Sequence, residues 1–143
     1  MMKMLSRFFL GLCFLLGGMG IEQDLKAQSA ADRVLLDSVF AYLCELKIAH
    51  PEIVIRQVVC ETGWFSNKNL MTKRNFFGFR YKTYLRFATW QEGVEYYKRW
   101  QEKRYTDPTE DYYHFLVRVH YASAGYPALL KKVKLGKEFS CNE

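Results

Sequence analysis

The sequence lacks several features that would place it in a well-marked class of proteins. Its four cysteines include no Cys-x-x-Cys pair and its three histidines do not cluster, so the spacing typical of a metal site is missing. No segment after the first 27 residues is apolar enough to span a bilayer, which takes about 20 consecutive apolar residues. The chain has no internal repeat and no low-complexity segment. These absences leave one soluble domain, without a metal or a cofactor, as the expectation for 143 residues.

The first 27 residues have the pattern of a secretory signal peptide. Lys3 and Arg7 form a basic start, and the apolar run Phe8–Leu16 has the length of a signal core, which is too short to cross a bilayer. Small residues follow this run. The alternative is that the segment is kept as a membrane anchor.

The expected cleavage site lies after Ala27, and cleavage after Gly20 is the alternative. We therefore divide the chain into a signal peptide, residues 1–27, and one folded domain, residues 28–143. The mature protein is expected to be a secreted or periplasmic monomer, with no stable membrane insertion once the signal is removed.

Three cysteines remain in that domain, at positions 44, 60 and 141. Cys44 and Cys60 are predicted near the C-terminal ends of consecutive helices, which point apart when the helices are antiparallel. A bridge between them is therefore not expected, and single buried thiols are the preferred interpretation.

The formal net charge is +6, and removal of residues 1–27 lowers it to about +5 because three cations and two acids leave. This charge is compatible with an anionic polymer as partner, and equally with ordinary solubility. Nucleic acid is disfavoured because the signal peptide exports the protein and the basic residues do not cluster strongly.

Apolar residues recur with helical spacing in five segments, and the fold class predicted is mainly α. Residues 65–74 are predicted to be a loop, and residues 76–87 a short, irregular β-hairpin. The five helix starts are predicted near Ala31, Pro51, Trp90, Asp107 and Ala128.

One acid occupies an unusual place at the end of the second predicted helix. The stretch "VVCETGWFSN" places Glu61 in the last helical turn, and Gly63 is suited to end the helix. The apolar neighbours Val58, Val59 and Trp64 disfavour the carboxylate anion and so raise the pKa of Glu61. A carboxyl group that keeps its proton near neutral pH is a candidate general acid.

Three blocks resemble, in order, the glucosaminidase domain of family 73 glycoside hydrolases, which have a lysozyme-like fold and cut peptidoglycan. They are "PEIVIRQVVCETGWFSN", "RNFFGFR" followed by "YLRFATWQEGVEYY", and "VHYASAGYPALL", within residues 35–133. The resemblance implies a lysozyme-like α+β architecture, with about five helices around a cleft. It also implies peptidoglycan glycan strands as the partner.

Carried over by position, the resemblance implies that Glu61 is the general acid and that Tyr121 faces it as the second catalytic residue. Tyr126 matches a further tyrosine with a structural role at the substrate site, and aromatic rings such as Tyr81 can stack on sugars. The substrate-binding residues predicted in this way are Trp64, Asn75, Phe77, Gly78, Tyr81 and Tyr126.

The chain departs from the family pattern at the second acid. Most glycosidases use two carboxylates, but residues 62–91 contain no Asp or Glu, and Glu92 and Glu95 are predicted to be a helix cap and a surface residue. In the third block, Ala124–Gly125 replaces the family's Asp-Pro.

Three functions follow from this pattern. The leading one is an endo-β-N-acetylglucosaminidase in which the substrate's 2-acetamido group assists Glu61. The alternatives are an enzyme similar to a lytic transglycosylase, and a peptidoglycan-binding module with weak or no activity.

Overall fold

The computed structural model describes residues 29–142, and the expected signal peptide lies outside them. The mainly-α architecture is confirmed. No helix in this range combines the length and the apolar character needed to cross a bilayer. The helices are α1 (Ala30–Glu45), α2 (Pro51–Thr62), α3 (Lys68–Thr72), α4 (Trp90–Arg104), α5 (Tyr112–Arg118) and α6 (Tyr126–Lys132).

Local chemistry sets where the helices begin. Oxygen atoms of the Ser29, Asn67, Thr89 and Asp111 side chains accept the first free backbone N–H groups of α1, α3, α4 and α5. Proline occupies the first turn of α2 and of α6, where its missing N–H costs nothing.

Helix α2 lies at the centre of the fold. It packs against α1 and α6, and nearly all its side chains from Ile53 to Thr62 are buried. Arg56 fastens it to the end of α6, because the guanidinium donates hydrogen bonds to the carbonyl oxygens of Leu130 and Val133. A helix enclosed on most sides holds its last residues in a fixed position and away from water.

The segment between α2 and α4, residues 63–89, is called the α2–α4 lobe below. The loop predicted at residues 65–74 is wrong in part, because it contains α3. The predicted hairpin is reduced to one antiparallel bridge between Arg80 and Tyr84 among the described residues.

The buried side chain of Asn75 explains why the hairpin is so small. Its amide nitrogen donates to the carbonyl oxygens of Phe79 (2.8 Å) and Leu85 (3.0 Å), and its oxygen accepts from the Phe79 N–H (3.0 Å). One side chain thus supplies hydrogen bonds that a partner strand would otherwise make.

A glycine lets the lobe pack closely on α4. A β-carbon at Gly93 would lie 3.0 Å from the carbonyl oxygen of Arg74 and 3.2 Å from the ring of Phe87. Any larger residue at position 93 would push the lobe away from the helix.

The C-terminal segment returns to α1 and is bonded to it covalently. Cys44 forms a disulfide with Cys141, 97 positions later. None of the three described cysteines is a free thiol, so the expectation of single thiols is wrong. Phe139 packs edge-on against Phe40, with ring centroids 4.7 Å apart. The sequence analysis compared only Cys44 with Cys60, and residues after 134 show no periodicity that would place Cys141 beside α1.

The disulfide predicts a clear stability difference. The double variant Cys44→Ser/Cys141→Ser should lose about 2–4 kcal/mol of unfolding free energy in urea, because a long loop is no longer closed in the unfolded chain. Lys137→Gln removes a nearby surface ion pair with Asp37 (2.6 Å) and serves as the control, with an expected loss below about 1 kcal/mol. Equal stability of the double variant and the wild type would contradict this account of the C-terminal segment.

Candidate active site

Glu61 lies in the last turn of α2, directly before a sharp turn of the chain. Gly63, Trp64 and Phe65 all have left-handed backbone conformations, with φ values of 54°, 56° and 63°. A side chain at position 63 would also approach the hydroxyl of Ser66 at 3.1 Å. Two consecutive large residues in this conformation are costly, so the surrounding structure must hold the turn.

Hydrogen bonds of Thr62 hold this turn in place. Its hydroxyl donates to the carbonyl oxygen of Val58 (2.7 Å) and accepts from the N–H of Phe65 (3.0 Å). Its own carbonyl oxygen accepts from the N–H of Asn67 at 2.9 Å. Thr62, the residue after Glu61, therefore fixes the position from which the lobe starts.

The carboxyl group of Glu61 is buried, with 6% of the residue exposed, and its chain neighbours Val58 and Val59 are buried while Trp64 is half-buried. Burial raises its pKa from the ordinary 4.5 to about 7, and a hydrogen bond from Tyr126 opposes this rise. The Tyr126 hydroxyl donates to Glu61 Oε1 at 2.7 Å. The side chain is thus a buried acid that titrates near neutral pH.

The tyrosine that contacts Glu61 is not the one assigned from the sequence. Tyr121 was expected to face the acid, but its hydroxyl donates to the carbonyl oxygen of Phe77 at 2.7 Å. Tyr126, which was assigned a structural role, makes the direct hydrogen bond because α6 packs against α2. The two tyrosine rings lie 5.8 Å apart. After burial, the charge of Glu61 is the largest cause that raises the pKa of Tyr121, so both tyrosines adjoin the carboxyl group.

A family model matches residues 40–134, and its description is glucosaminidase, mannosyl-glycoprotein endo-beta-N-acetylglucosaminidase. The chain belongs to the glucosaminidase family. The resemblance predicted from the three sequence blocks is confirmed, and the matched range includes Glu61, both tyrosines and the whole lobe. Comparisons with curated proteins and with solved structures found no match.

Besides Tyr126, three of the predicted substrate-binding residues are buried. Asn75 is fully buried and its amide is bonded to the lobe backbone. Phe77 packs on Tyr97 with ring centroids 4.3 Å apart, and Gly78 is also buried. These three residues shape the lobe from inside.

Two other predicted residues reach the surface. Trp64 is half-buried at the turn after Glu61, and Tyr81 is 56% exposed. The Tyr81 hydroxyl lies 3.2 Å from that of Tyr96. These two rings remain accessible to a sugar, whereas Phe76 and Phe79 of the same lobe belong to the core.

A buried polar group one turn before Glu61 was not predicted from the sequence. Gln57 is fully buried and its oxygen accepts from the hydroxyl of Tyr97 at 2.6 Å. The Tyr97 and Tyr112 hydroxyls are 2.6 Å apart, and Gln101 donates to Tyr112 at 2.8 Å. This network joins α2 to α4 and α5. The available signal was a glutamine four residues before Glu61 on a face that is otherwise apolar.

Glu92 and Glu95 are the first acids after the acid-free residues 62–91, and each has a hydrogen-bond partner of its own. Glu92 accepts from the backbone N–H of Ala88 (2.9 Å) as part of the predicted capping box with Thr89. Glu95 accepts from the hydroxyl of Tyr42 at 2.8 Å. Over residues 29–142, no group of three or more His, Cys, Asp or Glu side chains is arranged to hold a metal ion.

The raised pKa of Glu61 predicts a pH-dependent penalty on stability. The folded protein holds this proton more tightly than the unfolded chain, so the free energy of unfolding should fall as pH rises from 4.5 to about 7. Between pH 4 and 8, the wild type should lose roughly 3 kcal/mol relative to Glu61→Gln, which does not titrate. Urea unfolding at several pH values measures this difference.

The control is Glu102→Gln, which changes an exposed carboxylate on α4. Its stability should follow that of the wild type across the whole pH range. Parallel curves for the wild type and Glu61→Gln would contradict the raised pKa.

Proposed function

We propose that this protein is an endo-β-N-acetylglucosaminidase that hydrolyses β-1,4 glycosidic bonds in the glycan strands of peptidoglycan. Membership of the glucosaminidase family supports glycoside hydrolysis in general. The observation that carries the specific proposal is the buried carboxyl group of Glu61, with a pKa of about 7. A general acid works best when its pKa lies near the working pH, because it is then both protonated and able to release the proton.

In this proposal, Glu61 protonates the oxygen of the leaving sugar while the bond from that oxygen to C1 breaks. The hydroxyl of Tyr126 then stabilises the carboxylate that remains, since a hydrogen bond to a charged acceptor is stronger than one to a neutral acceptor. Burial raises the pKa of Tyr126 well above its ordinary value, so the tyrosine remains a donor throughout.

The substrate supplies the nucleophile. Residues 62–91 contain no acid, and Glu92 and Glu95 are held by other groups. The oxygen of the 2-acetamido group attacks C1 as the leaving group departs, and forms a cyclic oxazolinium intermediate. Water then adds to C1 as the bond from C1 to the acetamido oxygen breaks, and it gives a proton back to Glu61, which restores the enzyme and the acetamido group and leaves a reducing end.

The proposed location is secreted or periplasmic. The signal-like residues 1–27 support it, and so does the Cys44–Cys141 disulfide, because disulfides persist in oxidising compartments outside the cytoplasm.

Digestion of purified peptidoglycan tests the proposal. Glu61→Gln should lower the release of soluble fragments by at least about 100-fold, because it removes the proton donor, and binding to the wall should persist. Glu102→Gln, a surface change on α4, should retain wild-type activity.

The products separate the alternatives. Mass spectrometry should find reducing N-acetylglucosamine ends. Ends with a 1,6-anhydro ring would show transglycosylation instead of hydrolysis, and a wild-type protein that binds the wall but releases no fragments would show a binding module.

Tyr126→Phe tests the hydrogen bond to the acid. Loss of a donor that lowers the pKa of Glu61 should move the alkaline limb of the kcat/KM profile to higher pH. Tyr121→Phe should shift this limb less, because its hydroxyl bonds to the Phe77 carbonyl oxygen. A shift to lower pH in Tyr126→Phe would contradict the assigned role.

A further inference from the structure

The α2–α4 lobe carries most of the excess positive charge of the folded domain. Residues 29–143 contain 18 Lys and Arg and 13 Asp and Glu, a net charge of +5. The α2–α4 lobe contains six of these cations and no acid. The rest of the domain has 12 cations and 13 acids, so its net charge is −1. The basic residues therefore cluster more strongly than the sequence analysis assumed. The six are Lys68, Lys73, Arg74, Arg80, Lys82 and Arg86.

Most of these side chains lie at the surface. Lys68, Arg74 and Lys82 are exposed, whereas Arg86 donates to the carbonyl oxygen of Thr72 (3.1 Å) and joins α3 to the later part of the lobe. An excess of one sign within 27 residues favours a local positive potential, which the carboxylate of Glu92 opposes where it accepts from the lobe's Ala88 N–H.

The lobe adjoins the candidate active site at two points. It begins one residue after α2, and the hydrogen bond from the Asn67 N–H to the Thr62 carbonyl oxygen (2.9 Å) fixes this start. Its Phe77 carbonyl oxygen accepts from Tyr121, the tyrosine beside Tyr126 and Glu61. A polymer that reaches the Glu61 carboxyl group can therefore extend over the lobe.

One part of the surface combines charge with an exposed ring. Tyr81 is 56% exposed and lies between Arg80 and Lys82 in the sequence. Its hydroxyl is held near that of Tyr96, which limits the motion of the ring. An aromatic ring between cations suits a polymer that carries both apolar sugar faces and anionic groups.

We propose that the α2–α4 lobe binds the carboxylates of the peptides attached to a peptidoglycan strand, so that the enzyme prefers peptide-bearing strands to naked glycan. This inference rests on the proposed function and goes beyond it, since cleavage of the glycosidic bond does not itself require a charge on the substrate. N-acetylglucosamine is neutral, and in an intact strand the lactyl carboxyl group of each N-acetylmuramic acid is tied up in an amide bond to the peptide, so the free carboxylates of the strand are those of its peptides. Four lysines within residues 131–137 form a second basic stretch, and the α6 variant described below tests whether it gives the same attraction.

The test compares two triple variants that remove the same charge. Lys68→Gln/Arg74→Gln/Lys82→Gln neutralises exposed cations of the lobe, and Lys131→Gln/Lys132→Gln/Lys134→Gln neutralises exposed cations at the end of α6. Substrates are peptide-bearing strands and naked strands. The naked strands are prepared by enzymatic removal of the peptides and conversion of the lactyl carboxylates that this exposes to neutral amides. Thermal unfolding of both variants checks that each folds.

The lobe variant should raise KM for peptide-bearing strands about tenfold at low salt, because each exposed ion pair contributes up to a factor of about five. KM for naked strands should change less than twofold, and the α6 variant should behave as the wild type. Salt at about 0.5 M should remove most of the difference, because it screens exposed charges.

Three results would overturn the inference. Equal effects of the two triple variants would show a general charge effect, and equal effects on both substrates would show that the lobe contacts only sugar. Loss of binding to a soluble phosphodiester polymer, with binding to peptide-bearing strands intact, would assign the cations to a different polymer.

Binding measurements in the Glu61→Gln background separate this inference from the proposed function. Sedimentation of that protein with peptide-bearing and naked strands reports the lobe even if the wild type cleaves neither. If the wild type shows no activity but the lobe variant still loses affinity for peptide-bearing strands, the proposed enzymatic function is refuted and the proposed binding role of the lobe stands. If the wild type cleaves naked strands and binds both substrates with equal affinity, the proposed binding role of the lobe is refuted and the proposed enzymatic function stands.

Discussion

The burial of one carboxyl group at the end of α2 is the constraint on which the structure of the site depends. Glu61 has lost most of its contact with water, and its described hydrogen bond comes from the hydroxyl of Tyr126. Burial favours the protonated form and the hydrogen bond favours the ionised form, and the balance places the pKa at about 7. Because α6 supplies the donor and α2 the acid, the packing of these two helices sets the chemistry.

The surroundings keep this costly arrangement in place. Thr62 and the left-handed turn that follows it stop α2 directly after Glu61, and the buried network from Gln57 ties the same helix to α4 and α5. The lobe is held by the side chain of Asn75 and by the hydrogen bond from Tyr121. Basic charge and an accessible ring are thereby displayed on a lobe that adjoins an enclosed acid with a raised pKa.

Much of this could be predicted from the sequence where the signal is local. Helical periodicity, the Thr89 capping box and the position of Glu61 before Gly63 depend on neighbouring residues, and each is found in the structure. Contacts between distant residues were not predictable in this way. Nothing local distinguishes Tyr121 from Tyr126, and only the packing of α6 on α2 decides which hydroxyl reaches Glu61.

The other differences between the predicted and the observed structure also arise where a local sequence pattern is missing or is overridden by contacts in the fold. α3 has only five residues, too few for a periodic pattern, and depends on its Asn67 cap. The Cys44–Cys141 bridge depends on the path of a C-terminal segment that forms no helix. The hairpin predicted from aromatic residues is replaced by hydrogen bonds from Asn75, a single polar residue whose role depends on its burial.

The most direct test of the central claim is a carbon-13 NMR titration of the Glu61 carboxyl group in the wild-type protein, assigned from the signal that is missing in Glu61→Gln. The account predicts a midpoint near pH 7. A midpoint near 4.5, the ordinary value of a solvated glutamic acid, would show that the carboxyl group is ionised at neutral pH and would contradict its role as the proton donor.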